Sequence, residues 1–96
     1  MPGESRYATV VTRGRQLLKN GDFASARLVL QEAADAGDAS AALALGETYD
    51  PVVLNKLGIH GRVADITIAR MWYKKAGELG SAEAPLRLRF LVNQPL

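Results

Sequence analysis

Ninety-six residues suffice for one compact domain with a small core, and an apolar share of 48% is enough to drive its collapse. Without cysteine the chain can form no disulfide, no thiolate metal site and no cysteine nucleophile. Twelve basic residues against ten acidic ones leave a net charge of +2, spread from Arg6 to Arg89, whereas a nucleic-acid reader concentrates its cations on one face.

The opening Met1-Pro2-Gly3-Glu4-Ser5-Arg6 has no apolar run after its charges. It does not read as a secretory signal, and no stretch approaches the ~20 apolar residues of a membrane span. The compartment stays open, with the cytoplasm as the default. A single domain is expected over 5–92, with flexible ends at 1–4 and 93–96.

The pattern predicts a first helix over 5–19, with Ser5 as its cap. Tyr7, Val10, Val11, Leu17 and Leu18 recur at helical spacing, and Gly14 leaves room for a close neighbour. Asn20-Gly21 ends it, and Asp22 caps a second helix over 23–36. Gly37 closes that helix and Asp38 caps a third over 39–49. Asp50-Pro51 combines a cap with proline at the first helical position, which opens a short helix near 51–57. Gly58 stops it, and Gly58-Ile59-His60-Gly61 reads as a turn. Val52, Val53, Leu54, Leu57 and Ile59 are too apolar for a free loop; they are expected to plug one end of the core or meet a partner. Asp65 caps a fourth main helix over 66–79. Gly80 and Ser81 lead into a fifth over 82–92, with Pro85 in its first turn, where a missing N–H is expected to cost least.

Segments 22–45 and 65–88 repeat each other at an offset of 43 without a gap. Nine of 24 positions are identical: Asp22/Asp65, Ala26/Ala69, Arg27/Arg70, Ala33/Ala76, Gly37/Gly80, Ala39/Ala82, Ala41/Ala84, Leu43/Leu86 and Leu45/Leu88. Alanine inflates chance matching, but the Asp, Arg, Gly and Leu pairs share the one register. Small residues seven apart, as in Ala26 and Ala33, let a neighbouring helix approach closely.

These residues carry a resemblance. Ala41-x-x-x-Leu45-Gly46-x-x-Tyr49 resembles the first helix of a tetratricopeptide-like repeat, and Gly21-Asp22 with Ala26, Leu30 and Ala33 resembles the turn and second helix of another. The run Ala69-Arg70-Met71-Trp72-Tyr73-Lys74-Lys75-Ala76, followed by Gly80, Ala82 and Ala84, is similar to the Sel-one-like subfamily, whose second helix carries Ala-x-x-Trp-Tyr-x-x-Ala. Gly58, Gly61 and Asp65 stand where that subfamily places its glycine-containing loop and aspartate. The likeness spans about 7–92. It departs from the pattern in an insertion over 50–57, in Leu43 at an often aromatic place, and in Leu28-Val29-Leu30 where an aromatic pair is usual. The resemblance implies an all-α, right-handed superhelix of antiparallel helix pairs, about five helices plus the short one. It also implies a concave surface lined by the first helix of each pair, and an adaptor or scaffold role.

Residues suited to catalysis are few. His60 is the only histidine, whereas a metal site needs about three or four ligands and a general base needs a positioned partner. Ser5, Ser25, Ser40 and Ser81 fall at helix starts, where serine caps. Asp35, Asp38 and Glu47, or Glu78 and Glu83, read as helix-end or surface charges. Gly58-x-x-Gly61 has neither the spacing nor the lysine of a phosphate loop. The expectation is a protein that is not an enzyme and uses no cofactor or metal. Trp72 and Tyr73 read as packing residues, with Trp72 as a large inter-helix anchor.

A partner-binding face follows by subtraction. If Ala42, Leu45, Gly46 and Tyr49 form the packing stripe of the third helix, its other face carries Ser40, Leu43 and Glu47. The same spacing selects Val11 and Arg15 in the first helix, with Lys19 continuing the row, and Glu83, Leu86 and Phe90 in the last. Side by side these rows make a groove with an apolar floor, a basic end and an acidic middle, suited to a peptide or a partner helix. Val11, Leu43 and Leu86 are equally compatible with being further core. The last helix is apolar around much of its girth (Leu86, Leu88, Phe90, Leu91, Val92), so self-association through it is a second reading. Weak nucleic-acid binding through Arg13, Arg15, Arg87 and Arg89 is a third. The partner's identity is not in the sequence.

Overall fold

Aspartate opens four of the helices. In the computed structural model, which describes residues 6–92, the elements are α1 (Ala8–Lys19), α2 (Phe23–Asp35), α3 (Ala39–Glu47), α4 (Pro51–Lys56), α5 (Ile66–Glu78) and α6 (Ala84–Val92). Among the described residues the regular structure is all helix. The Ser5 cap and the flexible ends expected at 1–4 and 93–96 lie outside them. Asp22, Asp38 and Asp65 each accept from the backbone N–H three residues on, at 3.0–3.1 Å, and Asp50 accepts from Val52 N–H at 2.8 Å. Each bond satisfies a donor that the first helical turn leaves without a partner, worth ~1 kcal/mol.

The matched glycines end α2 and α5 in the same way. Gly37 and Gly80 have φ of 92° and 110°, a conformation that a Cβ strongly disfavours. That turn lets the next N–H bond back: Asp38 to Ala33 O at 3.1 Å, and Ser81 to Ala76 O at 2.9 Å.

Successive helices pack on one another. α1 lies on α2, α2 on α3, α3 on α5 and α5 on α6. The short connections between α1 and α2 and between α2 and α3 make these neighbours helical hairpins. α3 is the axial element, with every residue from Ala41 to Thr48 buried. Two glycines allow the closest approaches. A Cβ at Gly14 would stand 2.5 Å from Leu30, and one at Gly46 would stand 2.7 Å from the Tyr73 ring. Leu30 and Tyr73, at matching positions of the repeat, are wholly buried. Tyr73 is therefore the aromatic anchor expected of Trp72, which is only half-buried at the edge of the core.

A second, smaller cluster joins Leu18, Ala26 and Leu54, flanked by Leu17, Phe23, Val53, Ile59 and Val63. Leu54, with Val53, Ile59 and Val63 packed around it, thus plugs this end of the core, whereas Val52 and Leu57 stand outside the cluster and Leu57 is exposed. The 50–64 excursion is tied at its neck. Asp65 N–H donates to Tyr49 O at 2.8 Å. Arg27 Nη2 donates to Thr48 O at 2.7 Å and to Val63 O at 2.8 Å, while its Nε reaches Thr48 Oγ1. The guanidinium also lies 3.7 Å from the Tyr49 ring centroid. Desolvation lowers the Arg27 pKa, opposed by Tyr49 and Asp65. Tyr73 Oη donates to Asp50 Oδ2 at 2.6 Å, which fastens the start of α4 to α5. Burial and this bond hold the tyrosine neutral, far above its usual range.

Three boundaries differ from the sequence expectation by two residues or more. α3 ends at Glu47, two residues early, α6 begins at Ala84, two residues late, and α1 begins at Ala8, three residues late, with Tyr7 rather than Ser5 at its N-cap and no side-chain capping bond there. The cause of the second is Pro85. In α3 the bond from Ala42 N–H to Asp38 O, 3.0 Å, closes the first turn. Pro85 matches Ala42 and has no N–H. The loss falls on the bond that would start the helix, so Ser81 does not cap it.

Candidate protein-binding face

The first helix of each predicted pair does contribute to one face, but less of it is open than the sequence suggested. Val11 and Leu43 are 5% and 4% exposed and belong to the main core. The reason is α3's central position: helices pack on it from several sides and leave no open stripe. Ser40, Lys19 and Glu83 are exposed, as are Leu86 and Phe90 at 50% and 60%.

Glu47 changes most from the expected acidic middle. It is buried and held between two arginines: Arg15 Nε donates to Oε1 at 3.2 Å, and Arg87 Nη2 to Oε2 at 2.8 Å. One carboxylate thus ties α1, α3 and α6 together. Burial raises its pKa, opposed by the attraction of Arg15 and Arg87. Arg87 also approaches Glu83, at 3.9 Å. The sequence reading had placed Arg87 only among candidate nucleic-acid contacts; its spacing of four from Glu83 was the available local sign. Two of the four cations of that reading, Arg15 and Arg87, therefore each give one nitrogen to Glu47.

α4 was not assigned to this face, yet it forms one wall. Arg15, Leu18 and Lys19 of α1, Glu47 of α3, and Val53 and Leu57 of the α4 segment line a hollow of about 150 Å³. Its signal in the sequence was the apolar run 52–59, whose direction depends on the neck contacts. Away from these residues, Trp72 and Met71 border a cleft of about 430 Å³ between α2 and α5, with Ala34, Asp35, Lys74, Lys75 and Glu78. His60 is exposed in the turn after α4.

Among the described residues there is no group of three or more His, Cys, Asp or Glu placed to hold a metal ion, and no helix is long and apolar enough to cross a membrane. What the face offers is recognition chemistry: exposed apolar side chains on α6, cations on α1, and a hollow between α1 and α4. No protein-family model, curated protein or solved structure matches the chain.

Proposed function

We propose that this chain is a protein-interaction module of the helical-repeat kind, similar in build to Sel-one-like repeats, that binds a peptide or partner helix on the face lined by α1, α3 and α6. In this reading α1–α2 and α3–α5 are successive pairs of a right-handed superhelix, and α6 opens a third. The matching caps, glycine turns and buried alanines of the two segments support the stack. The binding role is carried by one observation. Leu86 and Phe90 stand at least half exposed on a helix whose counterparts, Leu43 and Glu47, are covered. Contiguous exposed apolar surface rimmed by polar groups is a common mark of an interaction site.

The test is selection from a random 12-residue peptide library against the immobilised protein, with Phe90→Asp as the counter-screen. Peptides that bind the wild type and lose at least tenfold in affinity on the folded variant support the reading. Failure to enrich any peptide, or binding indifferent to Phe90→Asp and to substitutions at Arg15, sinks it.

A further inference from the structure

The hollow between α1, α3 and α4 has a chemical bias. Leu18, Val53 and Leu57 make its wall apolar, and Arg15 and Lys19 stand at its rim. Its size, about 150 Å³, is that of a cavity able to admit a benzene-sized group. One branched aliphatic side chain fits; a whole peptide does not.

The rim cations are available. Arg15 gives its Nε to Glu47 and keeps a side chain 41% exposed. Among the described residues its terminal nitrogens make no hydrogen bond, although the guanidinium is paired with Glu47, and the Lys19 ammonium makes neither a hydrogen bond nor an ion pair. Glu47 is the one carboxylate lining the hollow, and it is already shared between two arginines. The mouth is thus cationic, and its free donors have the fork geometry that takes a carboxylate in a two-point contact.

We propose that this hollow is the anchor subsite for an acidic segment of a partner protein: one leucine-like side chain enters against Leu18, Val53 and Leu57, and an adjacent carboxylate bridges the Arg15 terminal nitrogens and Lys19. It rests on the binding-face reading above and supplies the chemistry of the partner that the reading leaves open. α4 then has a binding role as well as a packing one. The excursion over 50–64 plugs the second core with Leu54 and turns Val53 and Leu57 toward the ligand.

The experiment is a titration of the 15N-labelled full chain with a capped pentapeptide of four glutamates around one leucine, followed by amide shifts. The expected result is saturable shifts concentrated at 15–19 and 53–57, with affinity falling as salt rises. Replacing the peptide leucine by alanine weakens binding about tenfold or more, as loss of a buried aliphatic side chain requires. Lys19→Glu, an exposed change that leaves the spectrum folded, abolishes binding of the acidic peptide and admits its lysine counterpart. Shifts at α6 alone, or binding indifferent to Lys19 and to the peptide leucine, overturn this subsite while leaving the α6 reading standing. If acidic, neutral and basic peptides all fail to shift any residue of the face, this subsite falls, and failure of the library selection as well removes the binding-face reading itself.

Discussion

Leu43 and Leu86 hold matching places in segments 22–45 and 65–88, yet one is 4% exposed and the other 50%. Four residues further on, Glu47 is buried and Phe90 is 60% exposed. The segments agree in whatever depends on near neighbours along the chain: aspartate caps, glycine turns, wholly buried Ala26 and Ala69. They part in whatever depends on the next helix. α3 has α1, α2 and α5 packed around it, whereas α6 packs mainly on α5, with slighter contact to α4 and the Arg87–Glu47 bond to α3. The contrast is that expected under the proposed repeat stack, in which each unit is completed by its neighbours. At the second position polarity also runs against burial, with a carboxylate inside and a phenyl ring outside. Stability alone would favour the opposite arrangement, and this supports the proposed binding role of the face.

The largest effects should fall where the segments are alike. Leu30→Ala and Tyr73→Ala both empty a wholly buried site, at ~2–5 kcal/mol for the first and toward ~5 kcal/mol for the second. The tyrosine change also strips the buried Asp50 carboxylate of its donor. Urea unfolding followed by circular dichroism measures both; a cost below ~1 kcal/mol at either position breaks the equivalence.

Next come the leucines that differ. Leu43→Ala should cost ~2–4 kcal/mol, and Leu86→Ala less than ~1 kcal/mol because most of its surface is already in water. Equal losses in the same assay would mean that α6 is covered in solution. The arginine pair sharpens the contrast. Arg27 bonds two carbonyls and stacks on Tyr49, so Arg27→Ala should cost ~2–3 kcal/mol. Its counterpart Arg70 is exposed, and Arg70→Ala should stay within ~0.5 kcal/mol. Thermal melts of the two variants side by side decide this.

The smallest effect is the most specific. Burial raises the Glu47 pKa, so the folded state holds that proton more tightly than the unfolded chain does. Its contribution to stability is therefore fullest below the ordinary carboxylate range and declines as pH rises through the raised value. Glu47→Gln removes that decline. Between about pH 4 and pH 7 the variant should gain on the wild type by up to ~1 kcal/mol. Denaturant unfolding at the two pH values gives the sign. A variant that loses ground with rising pH would show that the two arginines outweigh desolvation.

What the sequence made legible was local. Asp22, Asp38, Asp50 and Asp65 each act within three residues, and the glycine turns act within five, so type and spacing sufficed to find them. The repeat offset was legible because two copies lie in one chain. Contacts across 21 to 40 positions were not: Arg27 with Thr48 and Val63, Tyr73 with Asp50, Glu47 with Arg87. A lone charge on a predicted helix looks solvated until its partner's place is known. Val11 and Leu43 were left between groove and core for the same reason, since periodicity gives a face and not what covers it. Pro85 misled because its cost depends on whether the helix starts at 82 or 84.

The tied neck of the 50–64 excursion makes the fold indifferent to what happens at its tip. Thr48, Tyr49, Val63 and Asp65 are joined across the neck, so the strand ends stay together however far the chain wanders between them. Lengthening a loop costs only ~0.6 kcal/mol per doubling, and the 58–61 turn is largely exposed. Extra sequence grafted between His60 and Gly61, whether an epitope, a fluorescent reporter or a second domain, should ride on the molecule without disturbing either core, giving an internal attachment point.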